Sequence, residues 1–375
     1  MNVQLATADI TAEDIAGVVE VLESGRLAMG PRLDAFEHAI AERVGVTHAI
    51  AVSSGTAGLH VILASLGIGP GQEVIVPSFT FAASVNAILL VGATPVFCDI
   101  DPTTYCLDPA DVEQRITSRT RAVMVVDVFG HPADWLALES LAQRHALLLI
   151  DDCCEALGSE IDGRPIGSFG NAACFAFYPN KQITTGEGGM IVTNDDAIAE
   201  SARSIRNQGR GVMGAWLQHE RLGFNYRMDE MSASLGLTQL ARLDKFIDRR
   251  SAIASEYGRL LADVRGVTAA RTVGNVLVSW FVYVILLDDY VNRDAVMTWL
   301  EGQGVPTRAY FSALHWQPYL LPYGTHNANL PVTESIANRT MAIPFHTALT
   351  SAEIRYVVDK VSEAVLIQTH GTLTT

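Results

Sequence analysis

The sequence predicts an α/β fold: a mostly parallel sheet covered by helices on both faces, followed by a smaller α+β domain. Three observations lead there. Short Val- and Ile-rich runs alternate with helical patterns through about two-thirds of the 375 residues. Those runs are apolar at consecutive positions, as strands buried on both faces are. After about residue 240 the texture turns to long amphipathic stretches. The expected division is a large domain over 1–245 and a small one over 246–375.

The elements follow in order. "HAIAVSS" is a strand, and "TAGLHVILASLG" is a helix closed by Gly67. "EVIVPS" and "TPVFCDI" are strands. "TRAVMVVDVFG" and "HALLLIDD" are two more, separated by the helical "WLALESLAQRH". "ACFAFY" and "GGMIVTN" complete the series. Beyond them "LTQLARLDKFIDRRSAIASEYGRLLADV" (237–264) reads as one long amphipathic helix. "SWFVYVILL" is a strand, "RDAVMTWLEGQG" a helix, and "TSAEIRYVVDKVSEAVLIQ" a helix capped by Thr350 or Ser351. The closing "HGTLTT" is expected to fray.

Composition narrows the function. With 26 basic against 41 acidic residues the formal net charge is −15, so a phosphate backbone is repelled and no nucleic-acid partner is expected. The five cysteines form no CxxC pair, and the ten histidines show no ligand spacing; neither disulfides nor a metal is indicated. The start lacks a basic n-region and an apolar h-region, and no apolar run is long enough for a membrane span. A soluble cytoplasmic protein is the expectation.

Several motifs are set aside. "GIGPGQE" (67–73) resembles a dinucleotide loop but contains Pro70 and leads into a strand, so it is a turn. The P-loop and GxSxG patterns are absent.

Three others point one way. In "VSSGTAGLH" a strand ends in Ser53-Ser54-Gly55 and a helix begins near Thr56; free N–H groups beside a glycine make an anion cradle, although capped helices of this kind are common. "LLLIDDCCEALGS" sets Asp151 and Asp152 at a strand's C-terminal end, where open α/β sheets bind ligands. Neighbouring strand residues point apart, so one can enter a site while the other caps a following helix. Lys181, one of only three lysines, stands in "FYPNKQITTGEGGM" between apolar residues and glycines. A nucleophilic lysine needs such partial desolvation. Cradle, carboxylate and lysine together are what pyridoxal 5'-phosphate requires: an anion site, a partner for the pyridine nitrogen, and an amine for the aldehyde.

The ordered set "SSGTAGLH", "VPSFTFAASVNAILLVGATPVFCDID", "IDDCCEALGS", "FYPNKQITTGEGGM", "GFNYRMDE" and "LHWQPY", spanning about 10 to 360, resembles the DegT/DnrJ/EryC1/StrS aminotransferases. The resemblance implies a fold-type-I pyridoxal phosphate enzyme that aminates keto sugars. By position, Lys181 resembles the Schiff-base lysine and Asp152 the partner of the pyridine nitrogen. Gly55, Thr56 and Ala57 match the phosphate-binding turn, and Phe81 the aromatic residue stacked on the cofactor. Asn225 matches an asparagine that reaches the neighbouring subunit's phosphate, which implies a homodimer with shared sites. His315, Tyr310 and Arg308 lie in segments near the sugar substrate.

The chain departs from the family pattern at three places. Ala176 replaces a serine that helps hold the phosphate. Glu155 stands where many members have a glutamine near the cofactor's phenolic oxygen. "RNQG" puts Gln208 where histidine is usual. The expected donor is L-glutamate or L-glutamine, and the expected acceptor a keto sugar on a nucleoside diphosphate. A free keto-cyclitol such as scyllo-inosose is the alternative acceptor. A non-catalytic regulatory or binding protein of the same fold is the alternative function.

Overall fold

The computed structural model describes residues 1–211, 218–324 and 328–369. The terminal "HGTLTT" lies outside them. In chain order the strands are β1 His48–Val52, β2 Glu73–Pro77, β3 Thr94–Cys98, β4 Thr120–Val126, β5 Leu148–Asp152, β6 Glu160–Ile161, β7 Arg164–Pro165, β8 Ala172–Ala176, β9 Gly189–Thr193, β10 Val267–Thr268, β11 Val276–Leu277, β12 Tyr283–Leu287 and β13 Thr340–Ile343. The helices are α1 Ala12–Ser24, α2 Pro31–Val44, α3 Gly55–Ser65, α4 Ala82–Leu90, α5 Pro109–Arg115, α6 Trp135–His145, α7 Asp196–Arg206, α8 Glu230–Leu240, α9 Leu243–Leu261, α10 Arg293–Gly302, α11 Pro331–Ala337 and α12 Ser351–Thr369.

Seven strands form one sheet in the order β1-β9-β8-β5-β4-β2-β3. β9 runs antiparallel to both its neighbours, and the remaining pairs are parallel. Strand alternation sends side chains to two separate cores. Ile75, Val123 and Val125 face a core shared with Phe36, Trp135 and Leu138 from α2 and α6. Val74, Val76 and Met124 face another shared with Leu59, Ile62, Ile88 and Ile205 from α3, α4 and α7. Burying each such side chain contributes about 1.5–3 kcal/mol, which is why near-continuous apolar strands demand helices on both faces.

A third core joins β12 and β13 to α9, α10 and α12 through Tyr257, Tyr283, Ile285, Leu300, Met341 and Val357. The segment 237–264 is two helices rather than one. Arg242, with φ −107° and ψ 3°, interrupts it. Its guanidinium reaches back to Asp9 at 2.8 Å and Asp14 at 2.6 Å, and this fixes the bend. The bend lets α8 pack on α1 and α2 while α9 spans two cores: Leu243, Phe246 and Ile247 sit in the first, Ile253, Tyr257 and Leu261 in the third. At α12, Thr350 is the cap: its hydroxyl accepts from Glu353 N, and Glu353 accepts from Thr350 N. No described helix is long and apolar enough to cross a membrane.

Candidate active site

A cavity of roughly 490 Å³ opens over the C-terminal ends of β4, β5 and β8 and the N-terminus of α3, the position open α/β sheets use for ligands. Gly55, Thr56, Phe81, Asp152, Glu155, Lys181 and Tyr310 all line it.

The floor is set by strand register. Asp152 closes β5, paired with Val126 on β4 and Cys174 on β8. The Ser84 hydroxyl, from α4, donates to Asp152 Oδ2 at 2.6 Å, and the Cys154 amide lies 3.4 Å from Oδ1. Thr80 Oγ1 stands 3.1 Å from Ser84 Oγ and extends this line of hydroxyls.

Asp151 does not cap a helix, because the chain after β5 turns through 153–159 into β6. It faces the opposite way, fully buried, and accepts from Gly167 N at 3.1 Å. Its carboxyl neighbours that of buried Asp127, which itself accepts from Ala133 N and Trp135 Nε1. Burial pushes both carboxyls up, Asp127 to about 7.

The anion cradle is tight. Ser54 Oγ caps α3 by accepting from Ala57 N at 3.1 Å, which occupies the Ala57 amide and keeps that residue off the cavity lining. A Cβ on Gly55 would meet Ala176 Cβ and Cys154 Sγ, both at 2.8 Å, so only glycine leaves the amides open. Ala176 therefore stands against the cradle, offering a methyl group and no donor.

Lys181 sits in the loop after β8, its side chain 13% exposed. Nζ lies 3.4 Å from Glu155 Oε1 and 3.8 Å from the centre of the Phe281 ring. Glu155 Oε2 accepts from Phe129 N at 2.9 Å. Burial pushes the Glu155 carboxyl up, while Lys181 and the Phe129 amide pull the other way. Arg250, from α9, donates to the carbonyls of Lys181, Trp280 and Phe281, tying the lysine loop to the segment that carries the ring. Tyr310 stands on the far wall, where burial and the Glu155 charge push its phenol up to about 12. Phe81, 63% exposed, stands at the cavity edge.

Three expected residues lie elsewhere. His315 is completely buried, its Nδ1 2.7 Å from Ser78 Oγ and its Nε2 3.5 Å from Glu334; it anchors the 314–316 turn to the end of β2. Arg308 is exposed and borders a separate hollow with Met297 and Glu301. Asn225 is exposed on a bridge to Asn207, off this chain's cavity. Sequence reading missed Ser84, Cys154, Asn180 and Phe281. Ser84 lay visible in "FTFAAS", four residues after Thr80 across a helix start. Phe281 carried no local signal, because it reaches Lys181 only through tertiary packing.

The residues fit pyridoxal 5'-phosphate: a cradle only glycine leaves open, a hydrogen-bonded carboxylate on the floor, a largely shielded amine, and a buried Asn180 Oδ1 lacking a partner among the described residues.

The model of the DegT/DnrJ/EryC1/StrS aminotransferase family matches residues 8–362. GDP-perosamine synthase of Vibrio cholerae is 36% identical over 340 residues, 90% of this chain and 92% of that one. The dTDP-3-amino-3,4,6-trideoxy-alpha-D-glucose transaminase of Streptomyces venezuelae is 37% identical over 97% of this chain and 95% of its own. Among solved structures, the aminotransferase TlmJ from Streptoalloteichus hindustanus superposes with a TM-score of 0.93 at 33% identity, covering 98% of this chain and 100% of that one.

Proposed function

The chain belongs to the DegT/DnrJ/EryC1/StrS aminotransferase family, and from that premise we propose that it transfers an amino group from L-glutamate or L-glutamine to a keto sugar carried on a nucleoside diphosphate. The observation that carries this is the meeting of Lys181, Asp152 and the Gly55 cradle in one cavity. The nucleotide-linked acceptor is supported by relatives whose names specify GDP- and dTDP-sugars.

Bound pyridoxal 5'-phosphate supplies an electron sink and carries the amino group between donor and acceptor. Gly55 and Thr56 offer their amides at the α3 N-terminus to its phosphate. Asp152, oriented by Ser84, holds a proton on the ring nitrogen. Lys181 Nζ would provide the covalent anchor and would move a proton to and from the substrate carbon. Phe81 at the cavity edge would flank the cofactor, and Phe281 and Tyr310 restrict water at the amine. Asn225 points to a second copy of the chain that completes the phosphate site, and a homodimer follows from that reading. Of the sugar-side candidates, Tyr310 is supported by its place in the cavity, whereas His315 and Arg308 lie outside it. The functional division remains 1–245 for the cofactor and 246–375 for the smaller unit.

The test takes purified protein with added pyridoxal 5'-phosphate. A visible absorbance band should form, borohydride should bleach it, and the cofactor's mass should remain on Lys181. Nucleotide-linked and free ketoses, including a keto-cyclitol, are then compared as acceptors. A protein that takes up no cofactor sinks the whole reading; amination of free ketoses alone sinks only the nucleotide-linked acceptor.

A further inference from the structure

Glu155 is the carboxylate that meets the lysine, its Oε1 3.4 Å from Lys181 Nζ. We propose that Glu155 is the base that removes the proton from Lys181 before the amine bonds to the cofactor. The proposal rests on the reading of Lys181 as the anchoring residue.

An ammonium cannot attack a carbonyl, so Lys181 must first be deprotonated inside a pocket that hinders water. Among the described residues Glu155 is the only carboxylate within ion-pair distance, at 3.4 Å. Asp152 lines the same cavity, but its oxygens face Ser84 and the Cys154 amide. The Glu155 carboxyl is aimed: Oε2 is fixed by the Phe129 amide at 2.9 Å, leaving Oε1 to the lysine. Phe129 holds a left-handed backbone, φ 59°, and its carbonyl accepts from Phe281 N at 3.2 Å. Phe281 in turn lays its ring over Nζ. One backbone bridge thus places both the base and the apolar cover.

The step balances without a further reactant. A Lys181 N–H bond breaks and its proton passes to Glu155 Oε1, so an ion pair becomes a neutral amine beside a neutral acid. The nitrogen lone pair then bonds to the aldehyde carbon, and the aldehyde oxygen leaves as water with the two remaining amine protons. Burial favours the neutral pair, because it disfavours both charges, and so offsets the attraction of the ion pair that opposes the transfer. The groups that face Glu155 are Lys181, Asp152 and Tyr310; the Asp152 charge also favours the neutral acid.

The test is the rate at which cofactor-free protein captures added pyridoxal 5'-phosphate, followed by absorbance from pH 6 to 9. Borohydride reduction and mass analysis of Lys181 follow each run. Glu155→Gln should acquire the same mass on Lys181 but capture the cofactor at least about tenfold more slowly than wild type at pH 7. The gap should narrow toward pH 9, as solvent hydroxide replaces the missing base. Glu155→Asp should recover part of the rate, and it carries the test if circular dichroism shows Glu155→Gln unfolded. Equal rates and pH profiles in wild type and the variant overturn the proposal. Wild-type protein without mass on Lys181 overturns the reading of Lys181 instead, so the two failures are distinguishable.

Discussion

The Ser84 hydroxyl donates to Asp152 Oδ2 at 2.6 Å, with both residues buried. It aims the carboxylate that closes β5, and a hydrogen bond to a charged group contributes about 1.5–3 kcal/mol. Ser84→Ala should therefore lower kcat about tenfold while Lys181 still captures the cofactor. An unchanged kcat would show that strand register alone orients Asp152.

Asp152→Asn removes the charge itself. We expect kcat to fall by several orders of magnitude, with borohydride still leaving the cofactor's mass on Lys181. Lys181→Ala should abolish turnover. Multiple turnovers by that variant would exclude the mechanism.

Gly55→Ala puts a Cβ 2.8 Å from Ala176 Cβ and Cys154 Sγ, two atoms on short side chains with little room to retreat. The start of α3 must shift, and its amides with it. The expected outcome is at least about a tenfold rise in the cofactor Kd by spectral titration, together with a lower Tm, because such overpacking costs about 1–3 kcal/mol.

Arg250 is a buried cation whose partners are three carbonyls, those of Lys181, Trp280 and Phe281. Arg250→Met leaves these carbonyls without that donor, at a cost of roughly 1–3 kcal/mol for each one that stays unpaired. Tm should drop clearly, and cofactor capture should slow as the lysine loop loosens. Arg250→Lys should not restore either, because one ammonium cannot span the fork.

The Asp127–Asp151 pair makes stability depend on pH. Burial raises both carboxyls, Asp127 to about 7, so the folded protein holds a proton that the unfolded chain releases above about pH 4. The favourable contribution is complete below that pH and declines as pH rises through the folded values. Asp151→Asn replaces the acid with an amide that donates to Asp127 at any pH. Its Tm should fall less than wild type's between pH 5 and pH 8; parallel curves would exclude the raised carboxyls as the source of that slope.

The sequence by itself determined the seven strands of the main sheet, the helices α3, α6, α10 and α12, and the Ser-Gly-Thr junction, the aspartate pair and Lys181 as candidates, because each has a local cause. Apolar runs of strand length, a Ser-Gly-Thr junction and a lone lysine among apolar residues are all readable within a few positions. The break at Arg242 was not readable, because it comes from Asp9 and Asp14, far away in the chain. Tertiary structure alone decided which aspartate faces the cavity and that the other is buried beside Asp127. It alone set Phe281 over Lys181 and took His315 and Arg308 away from the pocket. These are matters of packing between distant segments, and a hydrogen bond or a ring contact acts only across the last few ångströms that packing closes.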